Sequence, residues 1–367
     1  MAGKSGERRI HGCRRASDVA KTGRGSGAMR AGSGARTPTA REAASVAEVS
    51  MKIVIPGGSG QVGRILARHF HAEGHSVTVL SQAPRPAPWR VVEWDGLTAG
   101  KWVRTLEGSD VCINLTGRSV NCRYTGVNRR AIYDSRIGST RLLNEVIGSL
   151  RHPPRVWINA STATIYRHTM DRAMDEATGE LGGNEPGVPE TWNFSIGVAK
   201  DWEAEFFRVL TPKTRKVAIR SAITLSPDRG GVFDVLLGLV RHGLGGTQGS
   251  GSQFVSWVHE RDFVRAVSFL IEQERMEGVV NIAAPNPVTN REFMRVLRAA
   301  WGCRARLPAP EWLIEFGTFF MRTESELVLK SRRVVPGRLL NEGFEFQFPD
   351  WSGAARELVG RWRSAMN

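Results

Sequence analysis

The chain stays small and polar for its first fifty positions and turns periodic at Met51. From there MKIVIPGGSGQVGRILARHFHAEGHSVTVLSQ divides by repeat length. KIVI is a short apolar run suited to a strand covered on both faces, and HSVTVL is a second. Between them Val62, Ile65, Leu66, His69 and Phe70 recur at helical spacing, so the stretch predicts strand, turn, helix, strand. Apolar runs at 110–115, 155–160, 216–220 and 279–283 alternate with further helical stretches, a rhythm that specifies an α/β fold. Asp262, just before the periodic run FVRAVSFLI, is expected to cap that helix, a contribution of about 1 kcal/mol.

Gly57, Gly60 and Gly63 fall in the first turn, where each has a mechanical use. The first lets the chain bend, the second lets a pyrophosphate approach the backbone, and the third lets helix pack on strand. With Gly58, Ser59, Gln61 and Val62 they form a loop whose helix presents unpaired amides to phosphate. The setting between a strand and a helix predicts dinucleotide binding. At the end of the second strand an acidic residue would hold the ribose 2′-hydroxyl of NAD, but Ser81 and Gln82 stand there. Arg64 and Arg85 lie nearby and would accept a 2′-phosphate. NADP is therefore the expected cofactor, with NAD as the alternative.

Composition narrows the classes. The 367 residues are 41% hydrophobic and 24% charged, enough for one large or two ordinary domains with a buried core. The longest apolar stretches, such as VFDVLLGLV, fall short of a bilayer, so a soluble cytoplasmic protein without a membrane partner is expected. The net charge of +15 looks like a nucleic-acid signal. Yet ten Lys/Arg against four Asp/Glu lie in residues 1–50, a stretch with no Leu and no aromatic residue, which reads as a disordered basic extension. The remaining charge has no aromatic interleaving, which argues against nucleic acid. Cys13, Cys112, Cys122 and Cys303 form no C-x-x-C pair, so neither a metal site nor a disulfide framework is expected.

Further landmarks follow the glycine loop: DVCINLTG (110–117), SRIGSTRLL (135–143), VWINASTATIY (156–166), AKDWE (199–203) and GGTQGSGSQFVSWVHERDFVRAV (245–267). In this order and spacing they resemble the extended short-chain dehydrogenase/reductases, in their atypical, nucleoside-diphosphate-sugar epimerase-like branch. NIAAPNPVTNREF and VVPGRLLNEGFEFQFP look like that branch's C-terminal part. The resemblance implies a Rossmann-type doubly wound parallel sheet over 51–225, to which later segments can add core strands, and a smaller C-terminal substrate domain over 226–367, with the family-specific segment at about 305–355. It places Asp95 near adenine, and Asn114, Leu115, Thr116 and Gly117 along the adenosine ribose and pyrophosphate. Arg136 and Lys200 join the cofactor set.

In that family a tyrosine moves the proton, a lysine four residues later holds the nicotinamide ribose and lowers the tyrosine's pKa, and a Ser or Thr orients the carbonyl. Thr162 matches the orienting position, with Ser161 beside it, and Lys200 matches the lysine. Position 196, where the tyrosine belongs, is Ile. No register slip restores it, because the residues four after Tyr124, Tyr133 and Tyr166 are Asn128, Ile137 and Met170. Isoleucine neither gives nor takes a proton. The candidates to replace it are Tyr166, Tyr133, Asp134, Ser135, Arg136 and His259. The glycine-rich loop GGTQGSGSQ offers amides to a substrate phosphate. The expectation is an NADP-dependent oxidoreductase or epimerase-like enzyme acting on the hydroxyl or carbonyl carbon of a small molecule, up to a nucleotide sugar. The alternative is a non-catalytic NADP-dependent sensor or regulator, for instance of cell division. The sequence assigns no oligomeric state.

Overall fold

The computed structural model describes residues 50–183, 185, 188–303, 307 and 326–365; the basic extension, apart from Ser50, and much of the family-specific segment lie outside the described residues. Seven strands form one parallel sheet. They are β1 (Lys52–Pro56), β2 (Ser76–Ser81), β3 (Arg90–Glu93), β4 (Val111–Asn114), β5 (Val156–Thr162), β6 (Arg215–Ser221) and β10 (Gly278–Ile282). Their order is β10-β6-β5-β4-β1-β2-β3. The chain fills one side from β1 outward, then crosses back to place β4 on the other side. The carboxyl edge between β1 and β4 is thus the topological switch point, where doubly wound sheets bind ligands.

Side chains alternate across β1: Ile53 and Ile55 face α1 (Gln61–Ala72) and α5 (Glu260–Glu272), while Val54 faces α2 (Gly126–Ser149) and α3 (Glu190–Phe207). On the first face Leu66, Phe70, Phe263 and Val267 fill the core; on the second, Leu143, Trp157 and Phe206 do. Both faces are covered, which is why the strands read as continuous apolar runs.

The C-terminal elements are α4 (Val232–Arg241), α6 (Asn290–Trp301), the helix Trp351–Ser364, and two small sheets. One pairs β7 (Ile223–Leu225) with β9 (Trp257–His259); the other pairs β8 (Phe254–Val255) with β11 (Val288–Thr289). Leu237, Trp257, Phe293, Trp351 and Trp362 make their shared core. The expected cap of α5 is corrected here. His259 occupies that position, its Nδ1 accepting the Arg261 amide at 3.1 Å. Asp262 sits inside the first turn, fully buried, and accepts the Gln347 and Phe348 amides at 2.8 Å each. It fastens the C-terminal tail to the helix. The local pattern marked an acid at a helix start correctly but carried no signal of a partner 85 residues away.

Candidate active site

The loop between β1 and α1 is shaped by contacts that only glycine permits. Gly57 has φ +72°, and a Cβ there would lie 2.7 Å from the backbone of Thr116. A Cβ on Gly63 would lie 2.4 Å from the Gly58 Cα, so the helix packs directly on its own loop. At Gly60 the nearest heavy atom to an added Cβ is 3.7 Å away, leaving backbone exposed toward the crevice. Gly60 is also the cap of α1, with no side chain bonding the first amides and no acid in the first turn. These amides and the positive helix end are left for an anion. Ser59 and Ser81 hydroxyls meet at 3.1 Å, joining the loop to the end of β2. Gln61 packs beside Gly231 at the start of α4, and its Nε2 is buried without a hydrogen-bond partner. Val62 packs against the core beneath. Arg85 is exposed, and Arg64 donates to the Ser59 carbonyl at 3.3 Å.

The end of β4 lies across this loop. Asn114 is fully buried: its Nδ2 donates to Asn159 at 2.7 Å and its Oδ1 accepts the Thr116 amide at 3.1 Å. It stitches β4 to β5 and holds the following turn. Leu115 packs on the core, and the Thr116 hydroxyl is buried with no hydrogen-bond partner among the described residues. Beyond it Gly117 abuts the Arg136 guanidinium from α2. Asp95, past β3, turns its carboxylate onto the Leu97 and Thr98 amides and the Thr98 hydroxyl, which hold its pKa below the usual carboxylate value. It organises its own turn.

At the end of β5, Thr162 Oγ1 accepts the Thr164 amide at 3.1 Å and opens the helical turn Ala163–Ile165. An oxygen engaged this way still has its own hydrogen to donate. Ser161 instead points inward to Glu203 at 2.5 Å. Glu203 also holds Arg220 through two bonds of 2.8 and 2.6 Å, a buried fork that keeps the guanidinium charged. Trp202 donates to Thr140 at 2.9 Å. The DWE stretch is thereby a brace between α3, α2 and the sheet.

Ile196 is buried, with its Cδ1 against Gly182, and Lys200 follows one turn later on the same side of α3. A Cβ on Gly183 would lie 3.4 Å from both Ile196 and the Lys200 Nζ. Lys200 makes no hydrogen bond or ion pair among the described residues. Thr162 ends β5 on the carboxyl edge that the glycine loop also lines, and Lys200 lies beside the Gly183 backbone.

The candidates for the missing acid separate clearly. Tyr166 is buried, accepts from Arg220 at 2.9 Å and donates to Asn281 at 3.0 Å; burial raises its pKa. Tyr133 is exposed on α2, its pKa raised by burial of the hydroxyl and by Asp201. Asp134 is exposed too, and Ser135 accepts the Arg118 amide at 2.9 Å. His259 is locked under Phe348 with Nε2 on Glu357 at 2.9 Å, and burial lowers its pKa. Tyr166, Ser135 and His259 are thus committed to the frame, whereas Tyr133 and Asp134 are exposed.

Sequence reading missed a polar cluster that the C-terminal segment brings against β5 and α3. Lys330, fully buried, donates to the Thr164 carbonyl at 2.8 Å, and Arg332 donates to the Thr164 hydroxyl at 3.2 Å. Glu326 accepts from Ser195 at 2.7 Å, and Ser195 meets the Tyr124 hydroxyl at 3.2 Å. Burial, with Arg332 beside it, pushes the Lys330 pKa down to about 7. The only hint in the sequence was the polar run LKSRR between apolar neighbours. No helix among the described residues is long and apolar enough to cross a membrane, and no cluster there has the makings of a metal site.

Comparison with known proteins bears on this geometry. Residues 53–186 match the NAD dependent epimerase/dehydratase family, and residues 309–358 match a domain of unknown function, DUF1731. The human epimerase family protein SDR39U1 is 31% identical over 312 residues, 84% of this chain and 100% of that protein. YfhF of Bacillus subtilis is 27% identical, covering 84% and 98%. The crystal structure of human SDR39U1 with NADPH aligns with a TM-score of 0.74 at 29% identity, over 84% of this chain and 99% of that one. The glycine loop at the switch point, the seven-stranded parallel sheet and these likenesses agree: the chain belongs to the NAD-dependent epimerase/dehydratase family, in the atypical extended branch of the short-chain dehydrogenase/reductases.

Proposed function

We propose that the protein binds NADP(H) at the β1/β4 edge and acts on a hydroxyl or carbonyl carbon of a small molecule, as an oxidoreductase or epimerase-like enzyme. The observation that carries this is the crevice itself: an uncapped α1 over a glycine loop, with Lys200 beside Gly183 and unpaired among the described residues. The residues fit such a cofactor. The buried, unpartnered Thr116 hydroxyl and the open space beside Gly60 suit its pyrophosphate and ribose. NADPH in the human relative's structure supports the choice of cofactor. The hydroxyls of Ser59 and Ser81, with no acid at the end of β2, leave room for a 2′-phosphate.

When bound, the nicotinamide supplies hydride exchange at the reacting carbon. The chain's own part is positional and electrostatic. Lys200 holds the nicotinamide-ribose hydroxyls, and Thr162 donates its free hydrogen to the substrate oxygen. The packed α3 brace keeps both at fixed spacing. The substrate class extends to nucleotide sugars by analogy with the nucleoside-diphosphate sugar epimerase of Corynebacterium glutamicum, whose structure aligns with a TM-score of 0.64 at 26% identity.

The test is fluorescence titration of the full chain with NADPH and NADH, then NADPH oxidation across a panel of carbonyl compounds. We expect NADPH binding, turnover of at least one compound, and an affinity loss of about tenfold in Lys200→Ala from one charged hydrogen bond. Binding of neither nucleotide would falsify the proposal. A second reading, a cofactor-dependent sensor without turnover, draws on the buried Ile196 in the tyrosine position. Tight NADPH binding with no turnover on any compound would favour it.

A further inference from the structure

Tyr124 lies in the loop that leaves the carboxyl edge after β4 and leads into α2. Its side chain is almost fully buried and its ring is fixed edge-on against Phe194, with centroids 5.1 Å apart. The hydroxyl meets Ser195 Oγ at 3.2 Å, and Ser195 gives its single hydrogen to the Glu326 carboxylate at 2.7 Å. The Ser195 oxygen is therefore left to accept from the phenol, and the bonds run in one direction, Tyr124 to Ser195 to Glu326. At the far end Lys330 and Arg332 stand 3.9 and 3.7 Å from the carboxylate. Positive charge reaches the phenol too, from Arg136 on α2 and from Arg332, with the Cys122 thiol also near Arg136. Arg129 holds the Tyr124 carbonyl at 2.9 Å.

These bonds surround the place where the family's acid is missing. Ser195 immediately precedes Ile196 on α3. The segment that carries Glu326 also carries Lys330 and Arg332, which grip Thr164, and the Thr164 amide binds Thr162 Oγ1. Side-chain bonds thus tie Tyr124, on the loop after β4, and Thr162, at the end of β5, to one frame. Glu185, packed beside Ile196 at Gly182, is committed to its own loop: its oxygens accept the Gly183 and His168 amides at 2.5 and 2.9 Å. A phenol, by contrast, can give a proton and accept one back.

We infer that Tyr124 supplies and takes back the substrate proton in place of the missing tyrosine, with Ser195 and Glu326 as its relay. This rests on the oxidoreductase reading of the same crevice. When an alcohol is oxidised, its C–H bond gives hydride to the bound nicotinamide and its O–H bond gives a proton to the Tyr124 oxygen. A carbonyl forms, the phenol's own proton moves to Ser195 Oγ, and the Ser195 proton moves to Glu326, which ends neutral. Reduction of a carbonyl runs the same transfers backward. Burial, with Arg332 beside it, holds the Lys330 pKa at about 7, so the group next to that carboxylate can itself exchange a proton near neutral pH.

The test pairs two measurements on the full chain. Tyrosinate absorbance is titrated against pH, without nucleotide, in the parent, Tyr124→Phe, Ser195→Ala and Glu326→Gln; the difference between parent and Tyr124→Phe isolates the Tyr124 transition. Glu326→Gln removes a negative charge beyond Ser195, so that transition should move to lower pH by about one pH unit. With NADPH and a carbonyl compound that the parent turns over, Tyr124→Phe should slow single-turnover hydride transfer about a hundredfold to ten-thousandfold. Its NADPH affinity should stay within about twofold. Ser195→Ala, which keeps the phenol and guards against a misfolded Phe variant, should slow the same step about tenfold. Glu326→Gln should shift the pH profile of the rate in step with the absorbance transition. A Tyr124→Phe variant as fast as the parent, or a Tyr124 transition that ignores Glu326→Gln, overturns the assignment while the oxidoreductase reading stands. A parent that binds NADPH and turns over nothing, or binds no NADPH, sinks that reading and the assignment with it.

Discussion

The two banks of the crevice are built on opposite plans. On the β1/β2 bank the work is done by backbone: glycines, uncapped amides and the hydroxyls of Ser59 and Ser81. On the β5/α3 bank it is done by ionisable side chains held away from water: Glu203 with Arg220, and Glu326 with Lys330 and Arg332. A backbone site tolerates almost any side-chain change that leaves its shape. A bank of buried charges fails when one partner is lost, because the survivor cannot return to water. On the second bank, position 196, where the family resemblance implies a tyrosine, holds the buried Ile196.

If this difference is real, the largest effect comes from cutting a buried pair on the second bank. Glu203→Ala strands Arg220 and the Ser161 hydroxyl, and should lower unfolding free energy by about 3–5 kcal/mol in urea denaturation; a loss under 1 kcal/mol would show that this bank is not electrostatically braced. On the first bank, Gly63→Ala should act through shape. The added Cβ, 2.4 Å from the Gly58 Cα, forces the loop outward. Overpacking of about 1–3 kcal/mol taken from the loop means roughly a five- to 150-fold loss of NADPH affinity in fluorescence titration. Unchanged affinity would mean that the loop is not the nucleotide site.

Lys330→Met sharpens the contrast through pH. An ordinary lysine ionises near 10.5, whereas Lys330 does so at about 7. Between those values the unfolded chain keeps a proton that the folded chain has released, so native stability should rise with pH from 7 toward 10. In thermal melts across that window the parent should gain on Lys330→Met as pH rises, with the variant equal or more stable near pH 7. A gap independent of pH would show that Lys330 is charged in the fold throughout. The smallest effect is expected at the exposed rim of the first bank. Arg64→Ala and Arg85→Ala, each made alone, should reduce the preference for NADPH over NADH by about fivefold or less, as a solvent-exposed charge contributes at most ~1 kcal/mol. A larger drop in the two measured affinities would mean that one arginine is drawn into a buried contact with the 2′-phosphate.

The first bank was legible in the sequence because its determinants are local. Strand, loop and helix occupy twenty-odd consecutive residues, and the periods of KIVI and Val62–Phe70 mark their limits. The positions of Thr162, Ile196 and Lys200 were legible through motif order. The second bank's charges were not, since nothing near Lys330 in sequence signals that it will be buried under Thr164, 166 residues earlier. Asp262 shows the same limit. Its helix start was visible, its grip on Gln347 and Phe348 was not.

That long-range closure has a consequence in time. The Thr164–Ser331 stretch is tied by Lys330 to Thr164, by Ser331 to His168 and Thr169, and by Arg332 to Thr164, all 162 to 168 residues apart. A ribosome adding about 5–20 residues per second leaves β5 waiting on the order of ten seconds for these partners. During synthesis the strands through β10 can already be in place while Lys330, Ser331 and Arg332 have not yet been made, so the nascent chain should hold cofactor before this polar cluster closes.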